Sequence, residues 1–346
     1  MTRLKFVSII ILCSVVAASL MIGPKLCFCA QQAVKEDRGF SISDKVVIAY
    51  YYIWFTKGWF NRTEGNAGAA MDDINPIVGS YDSWDSHVIE EHVKMAKRTR
   101  IDAFAVSWWF DDSRKGMNDR LAMVFEKARK YGLKIAINLE TDKRKKDKIT
   151  QALEYYLEKY SNDPAVLKVD GIPVVMIWGV SKFSNRRWSN IFKQLQEEGL
   201  NAFYIPSWST DPKYLGPFRA LEIYSLVDIK DDELAGYFKK QRKEVDVYNR
   251  DNPDTPAQWH ATIMPGYDET KIPGRKEGPC GAGWKDRDSG RYYRRTFEAA
   301  MASNPDWIRI STFNELAEHS HIEPMEEFGY LYIDMTAEFV EKFKKQ

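Results

Sequence analysis

A single (β/α)8 TIM barrel is the fold this sequence predicts, on three observations. Eight short apolar runs recur along the chain, each followed by an amphipathic helical pattern or a long loop. The runs are apolar on both faces, as strands of a fully covered parallel sheet must be. No glycine-rich phosphate turn follows the first run, which counts against an open doubly wound sheet; "GNAGAA" at 65–70 is too loosely spaced to serve as one.

The predicted strands are 46–52, 101–109, 133–140, 172–178, 201–208, 219–227, 258–266 and 307–313. Helical periodicity falls between them, as in "DSHVIEEHVKMAKRTR", "DRLAMVFEKARKYG", "KITQALEYYLEKYS" and "SGRYYRRTFEAAMASN". Gly132 and Gly199 stand where helices should stop, and "YIDMTAEFVEKFKKQ" supplies a last helix. No internal repeat or low-complexity tract interrupts the alternation. The barrel domain is thus expected over residues 45–346, after a short polar linker at 31–44.

Residues 1–30 read differently. Arg3 and Lys5 precede an uncharged apolar run, and small residues follow near Ala30, the pattern of a secretory signal peptide. The alternative is an uncleaved anchor, since about 18 apolar residues can just span a bilayer. Either way the chain is expected to be exported. Three of the four cysteines lie in this leader, leaving Cys280 without a partner for an internal disulfide, so stability must come from the core. No histidine lies near Cys280 in sequence to activate it, and it reads as a loop thiol.

Charge excludes one class of function. The chain carries 50 Lys+Arg against 49 Asp+Glu, a net charge of +1, which offers no electrostatic case for nucleic acid. Aromatics are more telling: 11 Trp, 18 Tyr and 18 Phe make 14% of the chain, and clefts that stack on sugar rings use such residues.

In a (β/α)8 barrel the active site forms at the C-terminal ends of the strands. Those ends and the residues just beyond them bring forward Tyr51, Tyr52, Trp54, Trp108, Trp109, Glu140, Trp178, Trp208, Tyr224, Tyr267, Asp268, Glu315 and Glu318. One such tryptophan could be rim packing. Aromatics recurring around the whole mouth suit a carbohydrate cleft.

The stretch "TFNELAEHSHIEP" (312–324), directly after the eighth run, holds Glu315, Glu318, His319, His321 and Glu323. Three readings compete. In a helical turn, residues three apart bring their Cβ atoms to about 5–6 Å, which permits the roughly 5–5.5 Å carboxyl separation of retaining glycosidases. Glutamates also favour a helix N-terminus for purely structural reasons. The histidines and glutamates could instead cradle a metal, but His87 and His92 fall in a predicted outer helix and His260 near the start of a strand, so one loop would have to supply nearly every ligand.

The same stretch resembles the signature of glycoside hydrolase family 99, roughly "SFNEWHEGTQIEP", the mark of endo-α-mannosidases and their bacterial relatives. "YDSWDSHVIEEHVKMAKRTRIDAFAVSWW" (81–109) is similar to the family block ending in "GIDGFIVSWWG". "DGIPVVMIW" (170–178), "MPGYDET" (264–270) and "RDSGRYYRRTFEAAMASNPDWIRIS" (287–311) resemble family blocks in the same order, so the likeness covers nearly all of 45–340. It implies a (β/α)8 barrel and hydrolysis of an α-mannoside with retention, without a protein nucleophile. Carried over by position, Glu315 matches the base that takes the proton of the substrate's own 2-hydroxyl, and Glu318 the general acid/base. Glu140, in "AINLET", resembles the glutamate of the family's "FHIEPY", and Tyr52, Trp109, Trp208 and Tyr267 are expected to line sugar subsites.

There are departures from the pattern. Leu316-Ala317 stands where the family has Trp-His, His319-Ser320-His321 where it has Gly-Thr-Gln, and Arg100 where it usually has Gly. Both glutamates are kept, so an altered substrate is expected rather than lost catalysis. The expectation is therefore an exported glycosidase acting on a mannose-containing or related glycan, with no cofactor and no metal, and no membrane association unless the leader stays uncut. A non-catalytic glycan-binding barrel and a metal-dependent hydrolase are the alternatives.

Overall fold

The computed structural model describes residues 39–60, 71, 73–110, 116–141, 146–272, 275 and 283–346. The expected leader at 1–30, most of the linker, "GNAGAA" and Cys280 lie outside the described residues.

All eight expected strands are present: β1 (Val46–Tyr52), β2 (Ala103–Trp108), β3 (Lys134–Glu140), β4 (Ile172–Trp178), β5 (Phe203–Ser207), β6 (Ala220–Glu222), β7 (Gln258–Ile263) and β8 (Trp307–Ile310). They pair in parallel in chain order, and β1 also pairs with β8, Val46 opposite Trp307. Between β5 and β6 the ring closes through the Arg219 amide on the Tyr204 carbonyl, 2.8 Å. A (β/α)8 barrel is the result.

Helices Ser86–Arg98, Met117–Tyr131, Lys146–Tyr160, Asn185–Glu197, Leu234–Asp251, Arg291–Met301 and Leu331–Phe343 surround it among the described residues. Their boundaries follow ordinary capping chemistry. Asp85 accepts from the amides of His87 and Val88 at the start of the first, and Gly132 ends the second at φ +67°, a conformation glycine adopts without strain. β5 and β6 are linked without a full helix, by a single 3-10 turn at Pro212–Tyr214.

Several strands are shorter than their apolar runs. The sixth run, expected over 219–227, pairs only over Ala220–Glu222, and the eighth ends at Ile310. Apolarity persists past the sheet because the chain that leaves it stays buried: Ile223, Tyr224, Leu226 and Phe313 are all inside. A hydrophobic run reports burial, and only hydrogen bonding makes it a strand.

Successive strand residues alternate between the helical shell and the barrel interior. Val47, Ala49 and Tyr51 face the shell, whereas Val46, Ile48, Tyr50 and Tyr52 belong to the interior cluster. This parity corrects two expected mouth residues. Tyr51 turns outward and its hydroxyl meets His92 Nδ1 at 3.0 Å; Trp108 turns outward too, fully buried, its ring 6.1 Å from that of Tyr155.

The interior holds polar groups as well. Arg309 is fully buried and donates to His260 Nδ1 at 3.1 Å, while His260 Nε2 donates to Gln258 at 2.9 Å. The arginine is a counter-charge for buried Glu222, whose pKa is raised by burial and drawn back by Arg309. Glu222 accepts from the Tyr50 hydroxyl at 2.8 Å, and Ser207 and Asn138 continue the chain of hydrogen bonds toward Glu140.

Arg309→Met is expected to destabilise the barrel by about 3–5 kcal/mol, since it strands a buried carboxylate. Glu222 already binds its proton more tightly folded than unfolded, so its contribution fades as pH rises, and removing the arginine lifts that pKa further. Urea unfolding should therefore find a larger loss at pH 8 than at pH 5.

Candidate active site

The signature stretch follows β8 but forms no helix. From Ser311 to Ser320 the chain makes a buried loop with one turn at Leu316–His319, where the His319 amide reaches the Leu316 carbonyl at 3.1 Å. The expectation of a helical turn is corrected to this extent, and the reading of a charged surface helix is excluded by burial.

Several bonds hold the loop. The Thr312 amide donates to the Ser320 carbonyl at 2.7 Å, closing its neck, and the Glu315 amide donates to Thr312 Oγ1 at 2.7 Å. Asn314 pairs with β1 in both directions, its Oδ1 accepting from the Tyr52 amide at 2.7 Å and its Nδ2 donating to the Tyr52 carbonyl at 3.0 Å. Glu323, fully buried, accepts from the Tyr81 hydroxyl at 3.0 Å and meets His92 Nε2 at 2.9 Å. His92 lies on the helix Ser86–Arg98, as expected, and turns its ring inward between Glu323 of the loop and Tyr51.

A pocket of about 330 Å³ opens at the C-terminal ends of the strands, within the range of small-molecule sites. Tyr52, Trp54, Trp59, Trp109, Glu140, Trp178, Tyr224, Ile272, Arg275, Glu315, Ala317 and Glu318 line it. Five of the seven expected site residues converge here: Glu315, Glu318, Glu140, Tyr52 and Trp109. Tyr267 stands behind the wall, its hydroxyl on Glu269 at 3.0 Å and its ring close enough to feel the Glu318 charge. Trp208 stands outside, half-exposed on the rim with its ring 5.1 Å from that of Trp178.

Aromatics form two walls. Tyr52, Trp54 and Trp109 make one, with ring centres 4.6 and 4.4 Å apart along the series. Trp178 begins the other, its ring 5.2 Å from that of Tyr224 and 5.1 Å from that of Trp208. Glu140 is positioned by Ser107 Oγ at 2.9 Å and Asn138 Nδ2 at 3.2 Å.

The two catalytic candidates differ in their partners. Glu318 accepts from the Tyr224 hydroxyl at 2.8 Å, which itself accepts from Tyr52 at 2.9 Å, and Arg275 lies 3.9 Å away. Glu315 Oε2 is buried with no hydrogen-bond partner among the described residues. Burial raises the pKa of both, and the Glu318 charge raises that of Glu315 further. Hydrogen bonds from Tyr224 and Tyr267 draw the Glu318 carboxyl back down, and the Ala317 amide does the same for Glu315.

Trp59, Ile272 and Arg275 complete the pocket without having been singled out residue by residue: Trp59 comes from a short helix after β1, Lys57–Phe60, and the other two from the chain beyond Tyr267–Asp268. Ala317, marked in the sequence as a departure from the family pattern, lines it too. The metal cradle does not form: His319 and His321 rings are 6.3 Å apart, His321 stacks toward Phe328, and no group of three or more His, Cys, Asp or Glu side chains converges among the described residues.

A barrel with paired buried carboxylates in an aromatic pocket at its catalytic face has the architecture of a glycoside hydrolase. The chain belongs to glycosyl hydrolase family 99, whose model matches residues 58–344. It is 26% identical over 324 residues to the glycoprotein endo-alpha-1,2-mannosidase of Mus musculus, covering 80% of this chain and 65% of the relative. A glycoprotein endo-alpha-1,2-mannosidase-like protein of Danio rerio is 23% identical over 310 residues, covering 78% of this chain and 66% of that one. The chain thus spans about two thirds of the length of these curated relatives. The solved endo-alpha-mannosidase from Bacteroides thetaiotaomicron superposes with a TM-score of 0.71 at 21% identity, covering 88% of this chain and 98% of that one, a likeness of fold.

Replacing Glu315 by Gln removes a carboxyl whose pKa is higher folded than unfolded. Such a group favours the fold at low pH and loses that contribution as pH rises. Glu315→Gln should therefore raise the thermal midpoint at pH 8, by about 2 °C or more, with the gain vanishing near pH 4 in calorimetry.

Proposed function

We propose that this chain is an exported, retaining glycoside hydrolase that cleaves an α-mannosidic or related α-glycan linkage by participation of the substrate's 2-hydroxyl. The observation that carries the reading is the pair of carboxyls lining the pocket, Glu318 held by the Tyr224 hydroxyl and Glu315 with a buried oxygen that has no partner among the described residues. The activities printed for the mouse and Bacteroides proteins support the choice of an α-mannoside. The basic and apolar leader at 1–30 supports export.

Empty Glu315 Oε2 is where a substrate hydroxyl fits. A 2-hydroxyl donating to it stabilises the Glu315 anion. Glu315 then takes the 2-hydroxyl proton as O2 attacks the anomeric carbon, and the C1–O bond breaks as Glu318 protonates the departing oxygen. Water opens the resulting 1,2-anhydro sugar from the face the leaving group left, opposite the epoxide oxygen; Glu318 takes a proton from the water and Glu315 returns its own to O2. Tyr52 and Tyr224 hold the Glu318 carboxyl in place, and Glu140 binds hydroxyls of the reacting sugar.

Ala317 lines the pocket where the family pattern has an imidazole, while Leu316 is fully buried in the interior. The departure thus enlarges one subsite and leaves both carboxyls seated, which favours altered specificity over a purely glycan-binding barrel. Turnover of α-mannosyl oligosaccharides, unaffected by a chelator, tests the reading. A glycan-binding barrel would retain the oligosaccharide and release no product, and a metal-dependent hydrolase would lose activity with the chelator.

Glu318→Gln should slow substrates with poor leaving groups by about 10²- to 10⁴-fold and spare activated fluorides, because only the former need a proton. Equal losses on both would refute Glu318 as the acid. The kcat/KM profile should be bell-shaped, its limbs belonging to the pair. A 2-fluoro substrate should bind without reacting, and a glycosyl adduct on Glu315 in its mass spectrum would overturn participation in favour of a covalent nucleophile.

A further inference from the structure

A second concavity lies across a short hairpin from the catalytic pocket. The hairpin pairs Tyr267–Asp268 with Trp284–Lys285. Its first strand adjoins the acid, the Asp268 amide donating to the Glu318 carbonyl at 2.8 Å. Its second strand borders a cavity of about 420 Å³ lined by Asp231, Trp284, Lys285, Asp286, Asp288, Tyr292 and Arg295. Nothing in the proposed reaction uses it.

Three features make it a built site. Trp284 is 58% exposed, the most exposed large apolar side chain among those described. It presents a flat aromatic face to solvent at the border of the cavity, a surface on which a sugar ring can stack. Second, Tyr292 is almost fully buried, and its hydroxyl has no hydrogen-bond partner among the described residues; nor has the buried Nε of Arg295, whose side chain is otherwise 41% exposed. Unmade bonds of this kind destabilise a fold and call for a ligand or a water. Third, the charges are mutually balanced: Arg295 bonds Asp288 at 3.0 Å and Asp231 at 3.1 Å, and Lys285 bonds Asp231 at 3.1 Å.

That balance decides the ligand class. Two cations inside the carboxylate cluster oppose a metal ion, and the carboxylates oppose an anion. A neutral, hydroxyl-rich ring satisfies everything present: its apolar face covers Trp284, its hydroxyls donate to the aspartates, and its oxygens accept from Tyr292 and Arg295. We propose that this cavity is a second glycan subsite, which holds a neutral sugar unit of a polymeric or branched substrate beside the catalytic pocket. The proposal deepens the hydrolase reading, which supplies only the choice of probe.

Two variants test it. Trp284→Ala removes an exposed platform, and Tyr292→Phe deletes a hydroxyl that is unpartnered without ligand. Both should turn over a short activated aryl α-mannoside at the wild-type rate. In gels containing branched α-mannan, with Glu318→Gln added so that the polymer is not cut, each should weaken retention, by about tenfold for Trp284→Ala. Tyr292→Phe should at the same time raise the thermal midpoint, since an unsatisfied buried group is gone. Unchanged retention in both variants would overturn the subsite. So would loss of small-substrate turnover in step with retention, which would make Trp284 part of the catalytic pocket. Failure of the wild type to bind either α-mannan or a branched α-glucan would overturn it too. Retention that depends on Trp284 in a protein inert toward every α-mannoside would refute the hydrolase reading alone and leave the second site standing.

Discussion

The pairing of Asn314 with the backbone of Tyr52 is the constraint on which the site depends. A loop carrying two glutamates would, left to itself, turn them to water. Here the Asn314 amide reproduces a strand's hydrogen bonds at the end of β1, donating to the Tyr52 carbonyl and accepting from its amide. Glu323 repeats the anchor nine residues later through Tyr81 and His92. Between those two anchors, Glu315 and Glu318 have nowhere to go but inward. Their burial is imposed by neighbours whose own bonds are complete, and the raised pKa of each follows from it.

Burial alone would leave the two carboxyls equivalent; their partners make them different. Tyr224 donates to Glu318, and its own burial keeps its hydroxyl protonated at any ordinary pH. Glu315 has one oxygen unmatched among the described residues.

The walls of the pocket divide the work in a similar way. On one side Tyr52, Trp54 and Trp109 make a continuous aromatic surface; on the other Trp178 leads out to Trp208 on the rim. Trp208 sits at φ +58°, uncommon for a large side chain, with its amide held by the Glu222 carboxylate. The same Glu222 is balanced by Arg309 deep in the barrel. The charge network of the interior therefore reaches the rim, and the polar filling of this barrel serves the shape of its mouth as well as its stability.

Most of the architecture was legible before any coordinates. Eight apolar runs with helical patterns between them could bury their faces in few other ways, and all eight strands formed. The position of Glu315 and Glu318 after the last strand, and of Glu140, Tyr52 and Trp109 at other strand ends, followed from the rule that loops beyond the C-terminal ends converge. Strand parity was legible in principle: Tyr51 and Trp108 alternate with residues that face inward, and their outward turn follows from the two-residue period.

What the sequence by itself determined is the barrel and the residues brought to its mouth, because hydrophobic period and chain order are local properties. Only the tertiary structure decided which groups meet. Trp59 enters the pocket from a four-residue helix too short to show a period and Arg275 from a stretch with none, and His92 crosses from a helix to Glu323, 231 residues away. The imbalance between Glu315 and Glu318 arises from Tyr224, which no spacing links to either. Charge and proton affinity are set by three-dimensional neighbours, and a linear chain does not carry distances.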